Sequence, residues 1–176
     1  MKNFVHLIFA LLSVPLFAQE AQTNSVSLKH IMGQHAIDAG YNFTKHGSGP
    51  AISYIYYKTN KDVFDMGLNS EIGKIGLTKF TNYGARLVYN RTLGNAEEVV
   101  FLNFGGGLKT GVESYTNEYL KIDESVFYYG GLVNCTIEIL FSKRLGVVLK
   151  ADQNYILNSK LGELNWQLGG TIRYTF

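Results

Sequence analysis

Cysteine is nearly missing from this sequence: Cys135 stands alone in 176 residues, so no disulfide within the chain can staple it. Proline is almost as scarce, with two in all, and Pro50 stands where a strand would begin and its missing N–H harms no ladder. Beyond Phe17 there is no apolar run of about 18 residues, which excludes a membrane-spanning helix in the exported chain. No helical periodicity lasts three turns, which argues against a helical bundle. A net charge of +2 is too mild to suggest a nucleic-acid partner. No Cys/His or carboxylate spacing suggests a metal, and no motif calls for a cofactor.

What is present begins with "MKNFVHLIFALLSVPLFAQ", one early lysine followed by an apolar run from Val5 to Phe17. That pattern is a secretory signal peptide over residues 1–18, with cleavage expected after Ala18. Residues 19–33 follow as a flexible lead-in, and 34–176 form one domain. Tyrosine, phenylalanine and glycine are plentiful, at 12, 11 and 19 residues, so an exported chain without disulfides must be stabilised by its architecture. A closed barrel answers that need.

Eight segments alternate apolar and polar residues with the two-residue period of a strand. They run about Gln34–Phe43, Ala51–Lys58, Asp62–Ile72, Leu77–Asn90, Val99–Val112, Val126–Phe141, Leu145–Tyr155 and Leu164–Phe176. Turn-forming stretches separate them, among them "KHGSG", "GKIG", "TLGN", "SKR" and "NSKLGE". In the last segment Trp166, Leu168, Gly170, Ile172, Tyr174 and Phe176 share one face, against Gln167, Gly169, Thr171, Arg173 and Thr175. The fold expected is an all-β, eight-stranded antiparallel up-and-down barrel.

Alternation by itself suits a soluble barrel or a membrane one. Segments of about ten residues or more favour the membrane, since soluble strands average five or six. The unbroken apolar faces and the terminal aromatic point the same way. Outer-membrane barrels resemble one another in ending on an aromatic that barrel-assembly machinery reads, so Trp166, Tyr174 and Phe176 are the candidate assembly signal. Outer-membrane lipid is then the expected surrounding. With both ends in the periplasm, the longest connection, Ser114–Ser125, falls outside the cell, and the short "SKR" turn falls inside. A soluble periplasmic barrel for a small apolar ligand remains the alternative.

Arg86, Lys109, Glu138, Lys150, Asp152 and Arg173 fall on the polar faces. An eight-stranded lumen is just wide enough for side chains, so inward charges must pair. "SKR" as a three-residue turn sets Glu138 opposite Val148 and diagonal to Lys150, and Arg173 lies at a similar depth. The expected structural cluster is therefore Glu138, Lys150, Asp152 and Arg173. Other motifs read more plainly. "GGGLKTG" lacks a phosphate-loop ending, and its glycines relieve crowding in a narrow lumen. "NFT", "NRT" and "NCT" match the glycosylation pattern by chance within strands. His46 with Ser48 is the one local pair that could serve a catalyst, and loop polarity accounts for both.

"GQHAIDAGYNF", "LNFGGGLKTGVESYTN" and "VFYYGGLVNCTIEILFSKRLGVVLKADQ" resemble the TraO proteins of conjugative transposons. The correspondence runs through Gly33 and Gln34, then Gly111, Glu113 and Asn117, then Phe127, Tyr129 and Gly130 leading to Glu138. The "DG" usual after the middle segment is Asp123-Glu124 here, and the resemblance is weak over Ser53–Asn95. It implies a non-catalytic outer-membrane component of a conjugative DNA-transfer apparatus, with other transfer-apparatus proteins as partners. A lumen this narrow is no conduit for DNA. The other readings are a general small outer-membrane barrel for adhesion or surface protection, and the soluble ligand-binding barrel.

Overall fold

Alternating residues put every second side chain on one face, and a sheet of such strands buries a face by curling closed. The computed structural model describes residues 30–96, 99–117 and 122–176. The expected signal peptide and the lead-in up to residue 29 lie outside the described residues. Eight strands follow in order: β1 (His35–Thr44), β2 (Gly47–Tyr57), β3 (Asp62–Ile75), β4 (Thr78–Ala96), β5 (Val100–Asn117), β6 (Ile122–Leu140), β7 (Leu145–Leu157) and β8 (Leu164–Thr175). Each pairs antiparallel with its sequence neighbour, and β8 closes on β1 from Ala36↔Thr175 to Thr44↔Gln167.

The two faces of this closed sheet are inverted relative to a soluble barrel. Asp38, Glu113 and Glu138 point inward and are fully buried, while Leu108 on the outer face is 68% exposed. Ile172, Leu68 and Phe127 are similarly bare outside. On β3 and β4 the outer apolar stretch runs between two charged pairs, Asp62↔Arg91 at one end and Lys74↔Lys79 at the other. From Phe64 to Ile72, at about 3.4 Å per residue and a tilt of about 40°, it spans roughly 20 Å along the barrel axis. That approaches the ~25 Å apolar band of outer-membrane barrels.

The interior is layered. An apolar layer of Ala36, Ile55, Tyr57 and Val63 fills the end that carries Phe176. Phe80, Tyr115 and Leu161, with Val126 against them, fill the other. Polar and charged groups occupy the length between. Glycines make room there. A Cβ on Gly84 would meet the Tyr128 hydroxyl at 2.6 Å and Asn69 Oδ1 at 2.8 Å. One on Gly107 would run into the Leu87 carbonyl and Val88 Cα of the adjoining strand.

Three connections depart from expectation. Ser114–Ser125 is not a long loop: the β5–β6 ladder continues through Ser114↔Ser125 to Asn117↔Ile122, leaving only 118–121 between the strands. Backbone pairing and a Ser114–Ser125 hydroxyl contact of 2.9 Å sustain the hairpin without an apolar outer face. "TLGN" is not a turn either, because β4 passes through it with a bulge between Thr92 and Gly94. Pro50 lies inside β2, opposite Tyr41 of β1, where the β2–β3 ladder lapses between Ser48 and Ala51. "SKR" does form the tight turn, with Ile139 facing Val147 and Phe141 N–H donating to Leu145 O at 2.9 Å.

Candidate functional site

Inward charges from six strands meet in one network at the middle of the lumen. Arg173 on β8 grips Asp38 on β1 with two bonds, Nε to Oδ1 at 2.6 Å and Nη2 to Oδ2 at 2.9 Å. Its Nη1 donates to Glu138 Oε2 on β6 at 2.7 Å and to the Tyr57 hydroxyl at 2.8 Å. Lys150 on β7 bridges Asp38 at 2.8 Å and Asp65 on β3 at 3.1 Å. Arg86 on β4 spans Asp65 and Asp152, each at 2.7 Å. Asn134 donates its amide to Asp152. All of these side chains are buried or nearly so, and each acid meets more than one donor. Such pairing is the condition under which charge is tolerated away from water, and within it Asp65 Oδ1 and Asn134 Oδ1 alone lack a partner among the described residues.

The four residues expected to cluster, Glu138, Lys150, Asp152 and Arg173, all lie in this network. Their wiring differs from the expectation. Glu138 faces Val148 as the turn geometry requires, yet its bonds go to Arg173, Tyr57 and His30 rather than to Lys150. Lys150 reaches across the lumen to Asp38 and Asp65 instead. Asp38 and Asp65 were missed by sequence reasoning, although "AIDAG" and "VFDMG" each carry an acid on the polar parity of an apolar strand.

Beyond these bonds the lumen continues with one further cation, neutral amides and separate acids. Lys109 donates to Gln167 at 2.8 Å. Glu71 accepts from the Thr44 hydroxyl and from Asn82 at 3.5 Å. Glu113 accepts from the Tyr115 hydroxyl, from Ser159 Oγ at 2.7 Å and from the Lys160 backbone at 3.3 Å. The Tyr128 ring crosses over Gly84 and Gly111 to donate to Asn82 at 2.9 Å. Asn42, Asn90 and Asn134 of the three glycosylation-like triplets are all turned inward and buried.

Trp166, Tyr174 and Phe176 line the outer face of β8 and its end, and are 43%, 44% and 58% exposed. Phe176 is tied back to the first strand, its N–H donating to His35 O at 2.9 Å. Ser48 Oγ lies 3.3 Å from the Tyr41 hydroxyl, and His46 sits in the β1–β2 turn with its backbone N–H on Thr44 Oγ1. Among the described residues no group of three His, Cys, Asp or Glu side chains is arranged to hold a metal.

No protein-family model matches the chain, and no curated protein does. Solved structures do. Neisserial surface protein A superposes with a TM-score of 0.64 at 16% identity, covering 81% of this chain and 96% of that one. The outer membrane protein OprG of Pseudomonas aeruginosa gives 0.62 at 10% identity, over 85% and 98%. Ail, the attachment invasion locus protein of Yersinia pestis, gives 0.56 at 16%, over 82% and 100%. At such identities the likeness shows the fold, a closed eight-stranded antiparallel barrel of the outer-membrane type.

Proposed function

We propose that this chain is a structural, non-catalytic barrel of the outer membrane, exported through a cleaved signal peptide, and a component of a conjugative-transposon DNA-transfer apparatus. The observation that carries the membrane reading is the inversion of its two faces: bare leucine, isoleucine and aromatic side chains outside, and six buried carboxylates with Lys109, Lys150, Arg173 and the nearly buried Arg86 inside. Water would leave the outer face unburied, and lipid satisfies it. The filled lumen supports a role carried by surfaces rather than by transport through the barrel. The transfer role rests on the resemblance of its motifs to the TraO proteins. Other transfer-apparatus proteins are then its partners, while nucleic acid is not.

Deleting the gene in a donor strain tests this. Conjugal transfer should fall toward background and return when the gene is supplied in trans. Unchanged transfer would leave the second reading, a general barrel for adhesion or surface protection. The polar β5–β6 hairpin beyond the apolar band favours that second reading, since it exposes Thr116, Asp123 and Glu124.

A further inference from the structure

His30 lies ahead of the first strand, and yet it is 4% exposed. A turn brings it inside. Gln34 N–H donates to Ile31 O at 3.1 Å, Gly33 takes a left-handed φ of 82°, and Gly33 N–H donates to Tyr57 O at 2.8 Å. This strap reverses the chain and sends the His30 imidazole into the mouth at the Phe176 end. There it stacks on Phe101 of β5 at 4.1 Å between centroids and tilts against Tyr57 of β2 at 4.6 Å. Its Nε2 lies 3.1 Å from Glu138 Oε2, and its Nδ1 has no partner among the described residues. One hydrogen bond, to a carboxylate, is therefore the ring's whole polar attachment among the described residues.

The charge of the lumen gives that bond its meaning. Among the described residues the lumen sets six acids, Asp38, Asp65, Glu71, Glu113, Glu138 and Asp152, against four cations, Arg86, Lys109, Lys150 and Arg173, so it is short of positive charge, and at the Phe176 end Glu138 shares Arg173 with Asp38. Around His30 the charged or titratable neighbours are Glu138 and Tyr57, with Arg173 bound to both of them and Asp38 one bond further. A protonated imidazole supplies part of the missing charge and turns the Glu138 contact into a charge-assisted bond. A neutral one restores the deficit and leaves an ordinary bond on a buried acid.

We propose that His30 is a proton-operated latch: protonated, it locks the Ile31–Gln34 strap across this mouth of the barrel through Glu138, and neutral, it releases the strap. The described residues 30–34 are thus the stopper of the lumen at this end, and imidazole is the side-chain type suited to exchange its charge within the range of environmental pH.

Amide hydrogen exchange on the folded full-length chain in detergent micelles tests this, with rates corrected for the intrinsic effect of pH. Between about pH 5 and about pH 8, protection of the Gly33, Gln34 and Tyr57 amides should fall about tenfold, the gap between a charge-assisted and a neutral hydrogen bond. Amides of β4 should hold steady and report an intact barrel. In His30→Gln, which keeps a neutral donor, strap protection should be low and flat with pH. Equal protection at both pH values in the natural chain overturns the latch, and so does a His30→Gln profile that tracks the natural one.

Discussion

Arg173 uses its guanidinium fork on three strands at once: both oxygens of Asp38 on β1, Glu138 on β6 and the Tyr57 hydroxyl on β2. Removing one partner of so buried a pair strands the other, at about 3–5 kcal/mol. Glu138→Ala should therefore lower the unfolding free energy in micelles by that order, measured by denaturant titration. The coupling partner is the sharper expectation. A double-mutant cycle of Glu138→Ala with Arg173→Met should show an interaction of about 0.5–3 kcal/mol, and one with Lys150→Met a smaller one. Equal couplings would mean that the Glu138–Arg173 bond is not the link that matters. That Glu138 and Lys150 point the same way is legible from parity within one hairpin. Which acid each cation reaches is not, because Lys150–Asp65 and Arg86–Asp152 cross the lumen, and their meeting depends on how far the strands shear as the sheet closes.

Along single strands, alternation is a strong signal only where the two faces differ. From Val100 to Val112 leucine, phenylalanine and valine oppose asparagine, glycine and lysine, and the strand is plain to read. From Ser114 onward both faces of β5 and β6 are polar or mixed, so the contrast fades although the ladder goes on to Asn117↔Ile122. The bulge at Thr92/Gly94 misleads in the same way, since Gly94-Asn95 carries turn chemistry inside a continuing strand. The lumenal glycines separate two kinds of crowding. Gly84→Ala would press on the ends of two side chains, Tyr128 and Asn69, whereas Gly107→Ala would press on the backbone of β4. Side chains shift more easily than a hydrogen-bonded strand, so Gly84→Ala should destabilise by about 1 kcal/mol and Gly107→Ala by about 3 kcal/mol or more. Folded yield and unfolding midpoint in micelles would order the two, and the reverse order would place Gly107 away from the β4 wall.

As a whole the barrel has a direction. With Phe176 in the periplasm, Lys160 between β7 and β8 faces outward from the cell and Lys143 in the "SKR" turn faces inward. In a Cys135→Ser background, Lys160→Cys should react with an impermeant maleimide on intact cells and Lys143→Cys only after lysis. The opposite pattern would invert the topology. Phe176→Asp should lower the amount of folded protein in the outer membrane without altering the folded form that does assemble, as read by membrane fractionation and heat-dependent gel migration. Normal membrane levels would remove the terminal aromatic as an assembly signal. The seam that makes the barrel a barrel joins the first strand to the last, and the two-pronged Arg173–Asp38 bond lies across it. A ribosome makes these partners at opposite ends of its task, so Asp38 must wait for its two-pronged partner until the final strand arrives, with Lys150 of β7 as its other cation. Bringing such distant residues together carries the largest loop-closure entropy in the chain, which sets this contact late on the route to the native state. Interactions formed late leave their mark on escape rather than on arrival. Arg173→Met should hasten unfolding in a kinetic denaturant series while leaving the folding limb nearly where it was, so that the last bond made is the clasp that keeps the finished cylinder shut.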